Sequence, residues 1–510
     1  MVYLSKYFLR EGVYVSINFA NDQNLAMLVD FYEITMSNAY FEEHMEDSIA
    51  VYDMFFRRIP DGGGFAITAG LEQFIEYIQT LSFTPEDIAY LRSKEMFHED
   101  FLRYLENFSF SCDIWAIPEG TPVFPNEPIV TVRGPIIQAQ LVETMLLLTL
   151  NHQSLIATKT NRIVRAAQGR PVMEFGARRA HGYSAAVYGA RASYIAGVSS
   201  TSCVLAGRQF GMPISGTMAH SMIQSFDSEY EAFSVYAKAY PADCTLLVDT
   251  YSVLKSGVPN AIRVFNEIIV PSGNRPKGIR IDSGDIAYLS KKARKLLDEA
   301  GYSDVKIVAS NSLDEYIITD LIRQGASIDS FGVGENLITS KSNPVFGGVY
   351  KLVATERNGE YIPRVKLSES SSKITTPGFK EVYRFFNRET GKMEADLITL
   401  HGEEVDATNG YTIFDPIDTW KIKELKNVDV KRLQKPIFKK GKLVYDLPSI
   451  EEIRAYCMES IGQLWDESKR FEYPHRHYVD LSQKLWDLRY NTLVQTEKNI
   501  AAVKENLREF

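Results

Sequence analysis

Six short apolar runs between Pro171 and Gly334 each end in polar residues or glycine: Val172–Gly176, Met212–Thr217, Leu246–Thr250, Ile279–Asp285, Ile307–Asn311 and Phe331–Gly334. The stretches between them are long enough for amphipathic helices. Short apolar runs separated in this way indicate buried parallel strands joined by βα units. Such a series delivers the carboxyl ends of its strands to one rim, where barrel enzymes keep their chemistry. Here the rim collects Glu174, Arg178, Arg179, His220, Asp249, Arg280, Asp282 and Asp285. Fixed charges of both signs in one ring suit an anionic, phosphate-bearing substrate with a divalent cation.

The chain of 510 residues is too long for one core and implies two or three domains. Its 45% hydrophobic and 24% charged residues are those of a soluble globular protein. Lys and Arg number 56 against 65 Asp and Glu, a net charge of −9, which argues against a nucleic-acid partner. Cys112, Cys203, Cys244 and Cys457 are far apart and form neither a disulfide framework nor a zinc knuckle. Lys6 and Arg10 are followed by no apolar core of signal-peptide length. The longest apolar stretch, Leu141–Leu150, contains Glu143 and is too short to span a bilayer. A cytoplasmic location away from membranes is expected.

Along the chain, Asn21–Asn24 reads as a loop or helix cap, Leu25–Phe41 as a helix and Val51–Arg57 as a strand. Asp61-Gly62-Gly63-Gly64 predicts a mobile loop, followed by a helix over Leu71–Leu81. Short β-prone pieces punctuated by proline fill Cys112–Gly134, and a long helix follows over Ile137–Thr158. Between the apolar runs, helices are predicted at Tyr183–Phe210, His220–Ala239, Val253–Val270, Ile286–Ala300 and Leu313–Gln324. Short strands follow Tyr350, and helices over Ile450–Trp465 and Leu481–Arg508 end the chain. The expected division is an N-terminal α/β domain over 1–136, an α/β barrel over 137–352, and a C-terminal region over 353–510 that packs back on the first.

Four motifs carry the chemistry. Arg178 and Arg179 leave a strand beside Phe175, presenting planar charged forks to phosphate oxygens; a surface salt-bridge cluster with a core Phe explains them equally well. Gly216-Thr217 predicts a helix start with free N–H groups, and His220 one turn in is a candidate nucleophile toward a phosphoryl group. A lone His is nonetheless more often a hydrogen-bonded structural residue. Alternation puts Arg280 and Asp282 on one side of a strand, roughly 7 Å apart, the Arg for an aromatic or phosphate and the Asp for ribose hydroxyls or Mg²⁺. A plain strand end with an Asx turn is the competing account. Ser310, with Gly332 and Gly334, completes the rim, the glycines letting backbone N–H groups approach a monophosphate.

Taken in order, Asp30-Phe31-Tyr32, Glu174–Arg179, Gly216–Ser221, Val248–Ser252, Arg280–Asp285 and Gly347–Leu352 resemble the nicotinate phosphoribosyltransferase family. The resemblance implies a type II phosphoribosyltransferase: an irregular (β/α) barrel flanked by an α/β sandwich domain built from both ends of the chain. It implies nicotinate mononucleotide and diphosphate formed from nicotinate and phosphoribosyl diphosphate, with Mg²⁺ and with ATP hydrolysed as co-substrate. By the same resemblance, the pyridine ring stacks between Phe175 and Tyr32 of the partner in a homodimer with shared sites. Arg280 holds the carboxylate, Thr217 lines that pocket, Asp282 binds ribose hydroxyls and Arg178 contacts phosphate. His220 is the residue transiently phosphorylated. Asp249 and Ser310 join the substrate-binding set, and Asp285 is a candidate Mg²⁺ ligand.

Two positions depart from the family. Glu335 stands where Thr is frequent, and a carboxylate there repels a monophosphate unless it faces away. Cys203 stands where Asn is expected, so the contact at that position is in question. A nicotinamide-using relative would carry an acidic residue in Gly197–Gly207, and none is present. Further alternatives are a metal-dependent barrel lyase or isomerase using Asp249, Asp282 and Asp285, and a metabolite-binding protein without catalysis.

Overall fold

The computed structural model describes residues 24–370 and 373–506, with side chains described up to 500. The loop or cap expected at Asn21–Asn24 therefore lies mostly outside the described residues, as do Lys6 and Arg10. At the other end the last helix is described over Gln483–Asn506.

The barrel region holds six parallel strands. Their spatial order is Ser200–Thr201, Val172–Glu174, Ser330–Val333, Lys306–Ser310, Gly278–Ile281, Thr245–Leu247. Each strand in the chain series 245–333 lies beside the next, and the last returns to the first at Phe331↔Val172. The sheet thus curls round without closing, because no ladder joins Ser200–Thr201 to Thr245–Leu247. All six strands leave toward one rim.

Five of the six apolar runs become these strands. The Met212–Thr217 run does not; the strand at that place in the series is Ser200–Thr201, which sequence reasoning had put inside a helix. Pro213 has no N–H to donate, so this segment makes only an isolated bridge, Thr201↔Ile214. The predicted Tyr183–Phe210 helix is accordingly two, Tyr183–Ile195 and Val204–Phe210, interrupted by Gly197 at φ +121°. The His220–Ala239 helix is also two, a single turn His220–Gln224 and then Glu229–Ala239, capped by Ser228.

Around the barrel wraps the helix Glu143–Ala166, whose buried face packs on Tyr183–Ile195 and Glu315–Arg323. The first described helix begins at Phe31 rather than Leu25. Glu33 accepts the Asp30 amide at 3.4 Å, and this capping contact fixes the start.

The flanking domain centres on a seven-stranded sheet in the order Glu360–Pro363, Val349–Arg357, Ile49–Phe55, Val130–Pro135, Asp113–Ala116, Lys435–Lys439, Lys442–Leu443. Segments from both ends of the chain therefore share one sheet, and helices 71–80, 85–92 and 99–106 cover its core. A four-stranded sheet, Val428–Arg432, Lys380–Asn387, Met393–Leu400, Val479–Leu481, packs beside it. The Asp61–Gly64 segment is pinned, not loose: buried Lys159 reaches Asp61 at 3.1 Å and Glu315 at 2.8 Å. Among the described residues no helix is long and apolar enough to cross a membrane.

Candidate active site

The Gly278–Ile281 strand supplies the centre of the rim. Its Arg280 spends three donors on three different elements: Nε to Ser310 Oγ at 2.8 Å, Nη1 to Thr217 Oγ1 at 3.0 Å and Nη2 to Asp282 Oδ1 at 2.8 Å. The same guanidinium lies 5.6 Å from the centroid of the Phe175 ring, a cation–π distance. Phe175 leaves the end of the Val172–Glu174 strand, with two strands of the sheet between it and Gly278–Ile281, where its amide bonds Val333 O at 2.8 Å.

One edge of the Phe175 ring, Cδ2 and Cε2, lies against Gly332, where a Cβ would come within 2.5 Å of it. At Gly334 a Cβ would meet the Phe175 carbonyl oxygen at 3.1 Å. Both glycines thus have a packing reason that the sequence did not suggest. Gly332 clears space for the aromatic ring, and Gly334 for the backbone that carries it.

Asp282 accepts from Ser310 Oγ as well as from Arg280. Burial works against its ionised form, but these two donors outweigh it and hold the carboxyl below the ordinary aspartate range. His220, at the first position of its one-turn helix, puts Nδ1 3.0 Å from Thr250 Oγ1. Its Nε2 lies 3.7 Å from Asp282 Oδ2 and 4.0 Å from Asp249 Oδ1. Asp249 is 1% exposed at its side chain. One of its oxygens accepts from Ser283 Oγ at 2.5 Å, and the other, Oδ1, is buried with no hydrogen bond. Thr250 and Ser283 were not singled out from sequence, although both adjoin charged residues that were.

Phe175, Thr217, His220, Asp249, Arg280, Asp282, Ser310, Gly332 and Gly334 form one continuous contact network. Three other candidates stand apart from it. Arg178 is exposed on the turn Ala177–Arg179 and makes no hydrogen bond or ion pair with the described residues. Asp285 caps the helix Ile286–Glu299, its Oδ1 accepting from Tyr288 N at 3.0 Å. Tyr32 stands on the flanking domain, 43% exposed; partial burial, then the carboxylates of Glu143 and Glu33, raise its phenol pKa. Glu174 faces inward, bonded to Gly176 N and to Thr201 Oγ1, and burial raises its pKa.

The departures also resolve locally. Glu335 pairs with Lys341 at 2.6 Å and lies 3.9 Å from Arg179, so its charge is engaged. The Gly216-Thr217 pair does not open a helix, which starts only at His220 and is one turn long. The anion-binding helix end expected there is absent. Cys203 caps Val204–Phe210 through its backbone, its amide bonding Thr201 Oγ1 at 2.9 Å.

Such a rim can hold a carboxylate on Arg280 with an aromatic ring against Phe175, and diol oxygens on Asp282. Family models described as the nicotinate phosphoribosyltransferase N-terminal domain, family and C-terminal domain match residues 27–151, 171–375 and 379–489. The nicotinate phosphoribosyltransferase of Bacillus subtilis is 44% identical over 96% of this chain and 98% of its own. The one from Homo sapiens is 31% identical over 90% of this chain and 95% of its own. Among solved structures, human nicotinic acid phosphoribosyltransferase superposes with TM-score 0.80 at 29% identity, covering 92% of this chain and all (100%) of the other. A nicotinate-nucleotide pyrophosphorylase from Pyrococcus furiosus shares the fold at TM-score 0.65 and 22% identity.

Proposed function

Because the chain belongs to the nicotinate phosphoribosyltransferase family, we propose that it joins nicotinate to phosphoribosyl diphosphate, forming nicotinate mononucleotide and diphosphate in the salvage of nicotinate for NAD. The observation that carries this reading is the Arg280 guanidinium held over the Phe175 ring by Thr217, Ser310 and Asp282.

The pyridine nitrogen attacks ribose C1 as the bond from C1 to the diphosphate oxygen breaks, and the electron pair leaves with diphosphate. A neutral ring nitrogen is already nucleophilic, so no general base is needed. Arg280 takes the nicotinate carboxylate and Phe175 one face of the ring. Tyr32 of a second subunit covers the other face, making the enzyme a homodimer with shared sites. Asp282 accepts from ribose hydroxyls, stabilising the positive sugar carbon that develops as the leaving group departs. Arg178, which pairs with none of the described residues, is available to a phosphate, as are the backbone groups near Gly332 and Gly334.

The residues fit a Mg²⁺ ion. Asp249 Oδ1 is buried and unbonded, and Asp282 Oδ2 lies near the same His220 nitrogen. No group of three or more His, Cys, Asp or Glu side chains that could hold a metal occurs among the described residues. Asp249 and Asp282 would hold the ion, leaving its other positions to water and substrate oxygens, with Asp285 contributing at most from outside. When bound, it neutralises the diphosphate leaving group.

His220 receives the γ-phosphoryl of ATP on Nε2, ADP departs, and hydrolysis of the phosphoimidazole returns phosphate. Thr250 holds Nδ1, which leaves Nε2 toward the carboxylates. The added charge beside Asp249 and Asp282 reorganises the diphosphate site.

The test is diphosphate release from nicotinate or nicotinamide with phosphoribosyl diphosphate, Mg²⁺ and ATP. Turnover of nicotinate is expected, with nicotinamide poor; a preference for the amide overturns the substrate assignment. With γ-labelled ATP, His220→Ala is expected to abolish label on the protein, and label retained there would refute the phosphohistidine.

A further inference from the structure

A cavity of about 290 Å³ opens in the C-terminal region, away from the barrel rim. Its floor is Met393 and Ser468, both buried, with the imidazole of the partly exposed His477, and its mouth is Trp465, Tyr478 and His475, all exposed. Nothing in the proposed reaction uses these residues.

His477 is the telling group. Its side chain is 5% exposed, and its one polar partner among the described residues is Asp396. The ring is held by stacking on Phe124, centroids 3.9 Å apart, and its Nε2 faces Asp396 Oδ1 at 3.4 Å. Asp396 also accepts from Arg384, at 2.7 and 2.6 Å, and each carboxylate oxygen keeps a second lone pair for the imidazole. The other ring nitrogen, Nδ1, has no hydrogen-bond partner among the described residues, and such a half-paired imidazole can take one from outside the protein. With its proton on the Nε2 that faces Asp396, the ring presents Nδ1 as an acceptor.

The walls select against charge. Lys423 is paired with Glu394 at 3.0 Å and lies 4.4 Å above the Tyr478 ring, so it offers an anion no free cation. Glu467 has Arg470 at 3.8 Å. The remaining surface is aromatic, Trp465 and His475, and the volume lies near the lower end of small-molecule sites, roughly 300–1,000 Å³.

We propose that this cavity is a second ligand site, taking a neutral, flat nitrogen heterocycle of one or two rings that donates an N–H to His477 and stacks on Trp465. A purine base and a pyridine carboxamide share this chemistry, so adenine and nicotinamide serve as separate probes.

Calorimetric titration of the full chain with each probe is expected to show saturable binding of at least one, at one site per chain. Trp465→Ala, a change at the exposed mouth, is expected to weaken that binding about tenfold, as loss of one aromatic stacking partner does. Phe175→Ala is expected to leave it unchanged. His477→Gln, with an unaltered melting temperature as the check on folding, is expected to weaken it as well. The proposal is overturned if neither probe saturates at millimolar concentration, or if binding survives Trp465→Ala but is lost in Phe175→Ala, which would place the probe at the barrel rim. Because these readouts are binding alone, they stand or fall separately from the proposed reaction.

Discussion

Arg280–Asp282 at the barrel rim and Arg384–Asp396 in the C-terminal sheet are made of the same two side chains, in opposite circumstances. Arg384 is 1% exposed and Asp396 is fully buried, and they meet through two parallel hydrogen bonds. Both oxygens of that carboxylate accept from Arg384. At the rim, Arg280 is 14% exposed and Asp282 26%, and only one hydrogen bond joins them. Two further donors of Arg280 go to hydroxyls, Thr217 and Ser310, groups that can turn away and be replaced. The first pair is closed and fixes the fold; the second is held in place yet keeps capacity for a ligand. Ion-pair chemistry alone does not distinguish a structural pair from a functional one, whereas access and unspent hydrogen-bonding capacity do.

The sharpest way to break this contrast is to remove each arginine. Arg384→Met leaves Asp396 buried and uncompensated, and is expected to cost about 3–5 kcal/mol of stability, read as a large fall in melting temperature or insoluble protein. A change of under about 1 kcal/mol would show that the pair is not structural. Arg280→Lys keeps the charge but loses the planar fork. Its kcat/KM for nicotinate is expected to fall about a hundredfold, roughly 3 kcal/mol, with little change in melting temperature. If stability fell as much as activity, the rim would be no different from the core.

Opposite pH dependences sharpen the comparison further. The Asp282 carboxyl is held below the ordinary value by Ser310 and Arg280 despite burial, so its stabilising contribution is present above about pH 4 and disappears as the pH falls through its folded value. Asp282→Asn should therefore be less stable than the parent at neutral pH and converge with it in acid. Behind Arg384, burial and then the Asp396 charge push the Glu127 carboxyl well above its ordinary value. Its contribution is full below about pH 4 and is lost as the pH rises through the folded value. Glu127→Gln, which keeps the neutral form, should flatten that alkaline decline. Melting curves across pH read both, and parallel curves for either variant would contradict the assigned shift.

The smallest effect is expected at Glu335. Its carboxylate is engaged with Lys341 and Arg179. Glu335→Gln should leave the melting temperature and the KM for phosphoribosyl diphosphate unchanged. A severalfold drop in that KM would mean that the charge opposes the substrate after all.

Much of the rim was legible because strand ends are. Arg280 and Asp282 sit two apart on a strand whose apolar flanks announce it, and Asp249 and Ser310 end strands of the same kind. Gly332 and Gly334 were noticed for the right places, but their contact with Phe175 depends on a neighbouring strand that sequence spacing cannot specify. The Met212–Thr217 run misled because its apolar content mimics a strand while Pro213 denies it a ladder. The pair Ser200–Thr201, with no apolar run at all, was invisible between two helical stretches. His477 could not be read as buried, since nothing local predicts that Phe124, far away in the chain, stacks on it.

The seven-stranded sheet has a consequence for how the molecule is made. Ile49–Phe55 pairs with Val349–Arg357, and Asp113–Ala116 with Lys435–Lys439. During synthesis the early strands therefore wait, edges open, until most of the polypeptide has left the ribosome. All six barrel strands lie between residues 172 and 333 and need no such delay. The nascent barrel can form first and act as the platform on which the late strands find the early ones, so a chain interrupted after the barrel carries its chemistry beside an unfinished, adhesive sheet.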